Sequence, residues 1–114
     1  MPEQGDIVLI PIPFTDLSSS KRRPVIVISN SIYNRRNPDM IVVAMTSNPA
    51  LSAYAFTIGS SDLEHGFLNR PGQVRVDKIY TLAQSLAVKT FGRVKPEVID
   101  QIRTLLQSLT TPTK

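Results

Sequence analysis

Cysteine and tryptophan are absent from the 114 residues, and histidine occurs once. Without a thiol the chain has no disulfide, no thiolate nucleophile and no Cys-type zinc site, and a single His excludes a multi-His metal cage. The chemistry left open is metal-free, or none. Charge is sparse too, at 19% of residues against 41% hydrophobic. That is too little for a disordered chain and enough apolar material for a packed interior. The longest unbroken apolar run, Met40 to Met45, falls far short of the roughly 20 residues that cross a bilayer. The polar, acidic start from Met1 to Asp6 lacks the basic and apolar regions of a secretory signal, so the expectation is a cytoplasmic protein without membrane contact. The length fits one domain over residues 1–114, with no room for a second core.

The charge that is present is unevenly placed. Net charge is +4, yet residues 1–20 carry three acids and no base, whereas residues 21–36 carry Lys21, Arg22, Arg23, Arg35 and Arg36 and no acid. Such a block points to a polyanionic or acidic partner; an ordinary solvated basic loop fits the charge equally well.

Period-2 patterning dominates the first 94 residues. Ile7–Pro13, Pro24–Ser29 and Met40–Thr46 read as strands, the first becoming an edge where Pro11 and Pro13 remove ladder donors. Ala53–Ile58 alternates, and so does Gln73–Asp77, which puts Val74 and Val76 on one side and Gln73, Arg75 and Asp77 on the other. Ile79–Ala83 and Val88–Val94 read as further short strands, the second broken by Gly92. From Pro96 the period changes: Val98, Ile99, Ile102, Leu105, Leu106 and Leu109 fall at helical spacing, with Pro96 at the first position and Glu97 in the first turn. The pattern predicts a mainly β, α+β domain, a small and strongly bent barrel closed by one C-terminal helix.

Three blocks, GDIVLIPIPFTDLSSSKRRPVIVIS (Gly5–Ser29), VVAMTSNP (Val42–Pro49) and VRVDKIYTL (Val74–Leu82), together with FGRV (Phe91–Val94) before the helix, resemble the PemK/MazF toxins of bacterial type II toxin–antitoxin systems. The resemblance spans nearly the whole chain in the expected order. It implies an SH3-like barrel of the MazF/CcdB type, a homodimer, and sequence-selective, metal-independent cleavage of single-stranded mRNA without a cofactor, neutralised by a cognate antitoxin. It also implies catalytic roles for Arg23 of the Arg-Arg-Pro block and Thr46 of the Thr-Ser block, with Arg75 and Asp77 matching an acid and base pair that some members use. Many members carry a longer Gly- and Glu-containing loop before the Arg-Pro block, sometimes with a His. Here that loop is Thr15–Lys21 with Asp16 as its acid, so no loop His is carried over.

Elementary chemistry leads in the same direction. Cleavage of RNA by its own 2′-hydroxyl needs an acceptor for that proton, a donor for the 5′-oxygen and positive donors around the phosphorane, and Arg supplies a permanently charged fork that matches phosphate. Arg23, beside strand-opening Pro24, suits that task; as an isolated motif it reads first as an ordinary exposed cation. Thr46 is placed to bind phosphate or to satisfy the turn at Ser47. Arg75 and Asp77 are a surface ion pair or a catalytic one, and pairing makes Asp77 a poor base. Lys21, Arg22, Ser47, Arg35 and Arg36 are the candidate RNA contacts, with Tyr33 or Phe14 for stacking. His65 reads as a turn residue. Two alternatives keep the fold: a CcdB-like toxin that poisons gyrase, and a non-catalytic SH3-like RNA-binding module. An acidic, aliphatic-rich C-terminal segment is the expected chemistry of the antitoxin.

Overall fold

A computed structural model describes residues 1–11, 22–48 and 52–113. Their strands are β1 (Asp6–Pro11), β2 (Arg22–Val27), β3 (Asp39–Thr46), β4 (Ala55–Ile58), β5 (Leu63–Gly66), β6 (Gly72–Ala83) and β7 (Lys89–Val94). They join in one antiparallel sheet of order β4-β6-β3-β2-β1-β7-β5. The sheet curls into a half-barrel with β4 and β5 at its two edges. A short helix α1 (Ser31–Arg36) follows β2, and α2 (Pro96–Thr110) ends the fold.

The alternation of β-branched residues builds two apolar layers. On one side Ile7, Ile26, Val43, Met45, Val74 and Val76 are buried under α2, whose Val98 and Ile102 complete the cluster. On the other, Val8, Ile10, Val25, Val27, Met40 and Val42 pack under Tyr80, Leu82 and Ala87. Each fully buried Ile or Val of this kind is worth ~1.5–3 kcal/mol relative to an exposed one. The helix forms where its spacing predicts, opened by Pro96, with Ile99, Leu105 and Leu106 half-buried against the same layer.

Three departures from the sequence reading among the strands have physical causes. The short strand expected at Ile79–Ala83 is the second half of β6, a single strand of 12 residues. Its continuity is masked by a register irregularity: Val43 lies opposite Ile79 but Ala44 opposite Arg75, so residues 76–78 are extra to the β3 ladder. Gly92 does not break β7. A Cβ there would stand 3.0 Å from the His65 carbonyl, so glycine lets β5 come close. That pairing makes His65 a strand residue, with Gly66 at φ 85° ending β5.

Helix α1 was not expected from the pattern because six residues carry no amphipathic period. It begins at Asn30, whose side chain accepts from the Tyr33 N–H at 2.9 Å, and Arg35 and Arg36 fall in its last turn, where cations complement the helix dipole. Gln84 fastens it: Nε2 donates to the carbonyls of Asn34 (2.8 Å), Asn37 (2.8 Å) and Asp39 (2.9 Å). Two protons serve three acceptors, so one of these bonds is shared.

Candidate RNA-cleavage site

The antiparallel ladder assembles the polar residues on the face of the sheet turned away from α2. Arg23 lies opposite Ile10 of β1. On its other side Val25 lies opposite Ala44, and continuing that register by two residues brings Arg23 alongside Thr46. Thr46 in turn lies opposite Gln73, and Gln73 opposite Thr57. One rung further along, Val25, Ala44, Arg75 and Ala55 are aligned across four strands. Residues directly opposite one another share a face and neighbouring strands lie ~4.8 Å apart, so Arg23, Thr46, Gln73, Thr57 and Arg75 form one continuous polar patch.

Within it, Arg75 and Asp77 are clamped together. The guanidinium donates from Nε to Oδ1 and from the second terminal nitrogen to Oδ2, both at 3.0 Å. They stand two residues apart on β6, so alternation puts them on one side. The hydrogen bonds to Arg75 hold the Asp77 carboxyl below the usual carboxylate range and push the guanidinium pKa up further. Asp77 is therefore ionised at neutral pH and orients the Arg75 cation. Ala44 and Ala55, the neighbours of Arg75 across the ladder, are too small to cover it.

Thr46 serves the turn as well as the patch. Its Oγ1 accepts from the Asn48 N–H at 3.2 Å, which fixes the side-chain rotamer and leaves the hydroxyl proton for an incoming acceptor. Arg23 is exposed at the start of β2, the strand that Pro24 enters, with its charge at the rim of the sheet.

Other sequence candidates are elsewhere. Arg22 adjoins Arg23, and Ser47 adjoins Thr46; both are exposed. Arg35 and Arg36 are not neighbours of Arg23. The four-residue step from Arg23 to Val27 already spans ~13 Å at ~3.3 Å per residue, and α1 starts beyond the far end of β2. The basic block, contiguous in sequence, is split to opposite ends of a strand. Tyr33 lies in a groove with Ile28, Ile41, Ile99 and Leu106, on the α2 side of the sheet. Lys21 and Phe14 lie outside the described residues. A second ion pair, Arg93 Nε to the buried Asp6 at 2.8 Å, closes the start of β1 onto β7, and Asp6 also accepts from the Glu3 N–H at 2.8 Å. It holds the N-terminal turn in place. Gln73 and Thr57 were given no role from sequence, although the alternation of residues 73–77 already put Gln73 beside Arg75.

Among the described residues no group of three His, Asp or Glu side chains comes together as a metal site, and no helix is long and apolar enough to cross a membrane. Solved structures match this fold over its whole extent. An endoribonuclease in complex with its cognate antitoxin, from a mycobacterial species, superposes with a TM-score of 0.79 over 100% of both chains at 23% identity. An endoribonuclease from a mycobacterial species gives 0.75 over 99% of this chain and 95% of that one at 25% identity. A MazE–MazF complex from Deinococcus radiodurans gives 0.76 over 95% and 94% at 25% identity. No curated protein sequence matches. The family model for PemK-like, MazF-like toxins of type II toxin–antitoxin systems matches residues 3–110, and the chain belongs to that family.

Proposed function

We propose that the chain is a sequence-selective endoribonuclease toxin that cuts single-stranded mRNA without a metal ion, acts as a homodimer in the cytoplasm, and is neutralised by a cognate antitoxin with an acidic C-terminal segment. The observation that carries this reading is the gathering of Arg23, Thr46 and Arg75 on one open sheet face by the strand register, with Asp77 clamped to Arg75. Two cations, one of them held by Asp77, and a hydroxyl within a few strand spacings suit a phosphodiester whose charge grows in the transition state.

In the proposed reaction the 2′-oxygen attacks phosphorus, its proton passes to water, and the bond from phosphorus to the 5′-oxygen breaks. That oxygen leaves with a proton from solvent, and the other product ends in a 2′,3′-cyclic phosphate. Arg23 and Arg75 stabilise the phosphorane charge, Thr46 donates to a non-bridging oxygen, and Asp77 positions Arg75. Electrostatic stabilisation, not a strong protein base, carries the rate. Arg22 and Ser47 extend the phosphate track beside the site, and Lys21, the sequence neighbour of Arg22, is proposed as a further phosphate contact. Arg35, Arg36 and Tyr33 are assigned to a more distant part of the RNA or to the antitoxin. The family, and the cognate antitoxin bound to the mycobacterial relative, support an antitoxin partner.

The test is incubation of purified chain with RNA in excess EDTA. Cleavage to cyclic-phosphate ends is expected, with Arg23→Ala folded and at least about 10²-fold slower. Activity abolished by EDTA and restored by magnesium refutes the mechanism. The dimer predicts twice the chain mass in sedimentation.

A further inference from the structure

We infer that Gln73, held by Thr57, reads a base of the RNA, and that the base is adenine; this rests on the nuclease reading above. Gln73 is the residue directly opposite Thr46 across β3 and β6, one rung from Arg75, on the same face as both. A nucleotide whose phosphate lies at Arg23 and Thr46 therefore has Gln73 within about one strand spacing, ~4.8 Å. Contacts of arginine and threonine to a phosphate carry no sequence information, whereas an amide presents a donor beside an acceptor in one plane to a base edge.

That amide is oriented. Gln73 Nε2 donates to Thr57 Oγ1 at 2.5 Å, and Thr57 sits opposite it on edge strand β4. With one N–H given to Thr57, the remaining N–H and the carbonyl oxygen form the donor–acceptor pair left for a ligand. A free glutamine turns through many rotamers, and one tied to a strand neighbour has lost much of that freedom before RNA arrives. A purely structural role for the bond is weak. Gln73 and Thr57 are on the partly exposed polar face, and β4 is already joined to β6 by its ladder from Ala55 to Ile58.

The choice of base follows from hydrogen-bond patterns. A single strand exposes both the Watson–Crick and the Hoogsteen edges of its bases. Adenine offers an acceptor next to the N6 donor on both edges, N1 on one and N7 on the other. Guanine's Hoogsteen edge has two acceptors, and cytosine and uracil match an amide on one edge alone. Adenine is thus the base that the Gln73 amide pairs in more than one approach.

The experiment compares the wild type, Gln73→Leu and Thr57→Val on a random-sequence RNA pool, reading the bases around every cut. A second substrate pair carries adenine or purine, which lacks the 6-amino group, at the selected position. The wild type is expected to select adenine at one position near the cut and to discriminate against purine there. Gln73→Leu should lose that preference by about 10-fold or more, the range of one bidentate base contact, while selectivity at other positions stays. Thr57→Val should weaken the same preference by a smaller factor. A Gln73→Leu enzyme with an unchanged profile, or one slowed equally on every sequence, overturns the inference and leaves the nuclease reading standing. A wild type that selects a base other than adenine beside the cut overturns the assignment, and one that cuts no RNA overturns both readings.

Discussion

Replacing Asp77 by Asn separates the two roles open to the Arg75–Asp77 pair, because it removes the charge while keeping the shape and one acceptor for the guanidinium. The energy at stake is small. Opposite charges ~4 Å apart attract by ~1 kcal/mol in water and ~4 kcal/mol at an effective dielectric of ~20. With the two side chains 26% and 28% exposed, desolvation and side-chain ordering offset most of this, leaving ~0.5–1 kcal/mol. The carboxyl titrates below its unfolded value, held there by its hydrogen bonds to Arg75. Its contribution to stability is therefore complete above the unfolded pKa of about 3.9 and is lost as pH falls through the lower folded value. Asp77→Asn should cost ~0.5–1 kcal/mol near neutrality, and the difference should vanish in strong acid. Over the range from about pH 5 to about pH 9 the wild-type carboxylate stays ionised, so the rate–pH curves of wild type and Asp77→Asn should have the same shape. The turnover rate should fall by no more than about tenfold, against about 10²-fold for Arg75→Ala, which removes a donor to the phosphorane. Single-turnover cleavage of a fluorogenic RNA in EDTA, with melts at neutral and acid pH, measures both. An inflection between about pH 5 and about pH 7 that disappears in Asp77→Asn would make Asp77 the proton acceptor and refute this reasoning.

Ile102, 1% exposed beneath the sheet, should cost ~2–5 kcal/mol when cut to Ala, a fall in Tm of about 10–20 °C by calorimetry for a domain of this size. Gly66→Ala should be among the most damaging surface substitutions. Its φ is 85°, and a Cβ would collide with the Phe91 carbonyl and stand 2.6 Å from Gly92 Cα, both backbone. Urea titration should show a loss above ~3 kcal/mol, against ~1 kcal/mol for Gly72→Ala, where the obstruction is the mobile end of Met45. Reversing Arg35 and Arg36 to Glu should weaken antitoxin binding and its salt dependence, while turnover of an RNA too short to reach α1 stays within about twofold of wild type. Equal loss in both assays would place α1 inside the cleavage site.

The β framework and the terminal helix were legible because burial on alternate faces leaves a period that survives in sequence: Met40–Thr46, Gln73–Asp77 and Pro96–Leu109 all match observed elements. What escaped was set by contacts distant in the chain. Helix α1 has no period of its own and is held by Gln84. His65 became a strand residue because Gly92 lets β7 approach it. The site was half legible. Alternation put Arg75 and Asp77 on one face, but the alignment of Arg23 with Thr46 and of Thr46 with Gln73 depends on the β2–β3 and β3–β6 registers, which residue order alone does not specify. The split of the basic block was invisible for the same reason.

The position of β6, with Gln84 just beyond it, has a consequence for the order in which a nascent chain completes this fold. The Gln84 amide reaches back 50, 47 and 45 residues to the carbonyls it holds, and a six-residue helix has no stability of its own. While a ribosome is still short of β6, β1, β2 and β3 are free to pair and Asn34 can bond Ser29 and the Pro2 carbonyl, yet α1 lacks its Gln84 fastening, and Arg23 and Thr46 stand without Arg75, Asp77 or Gln73. Synthesis aborted anywhere before that strand releases a fragment that holds Arg23 and Thr46 but not the rest of the proposed cleavage face. In the proposed reading the cleavage face is completed only once β6 is made, late in translation, which gives a partner made beforehand the time to be waiting.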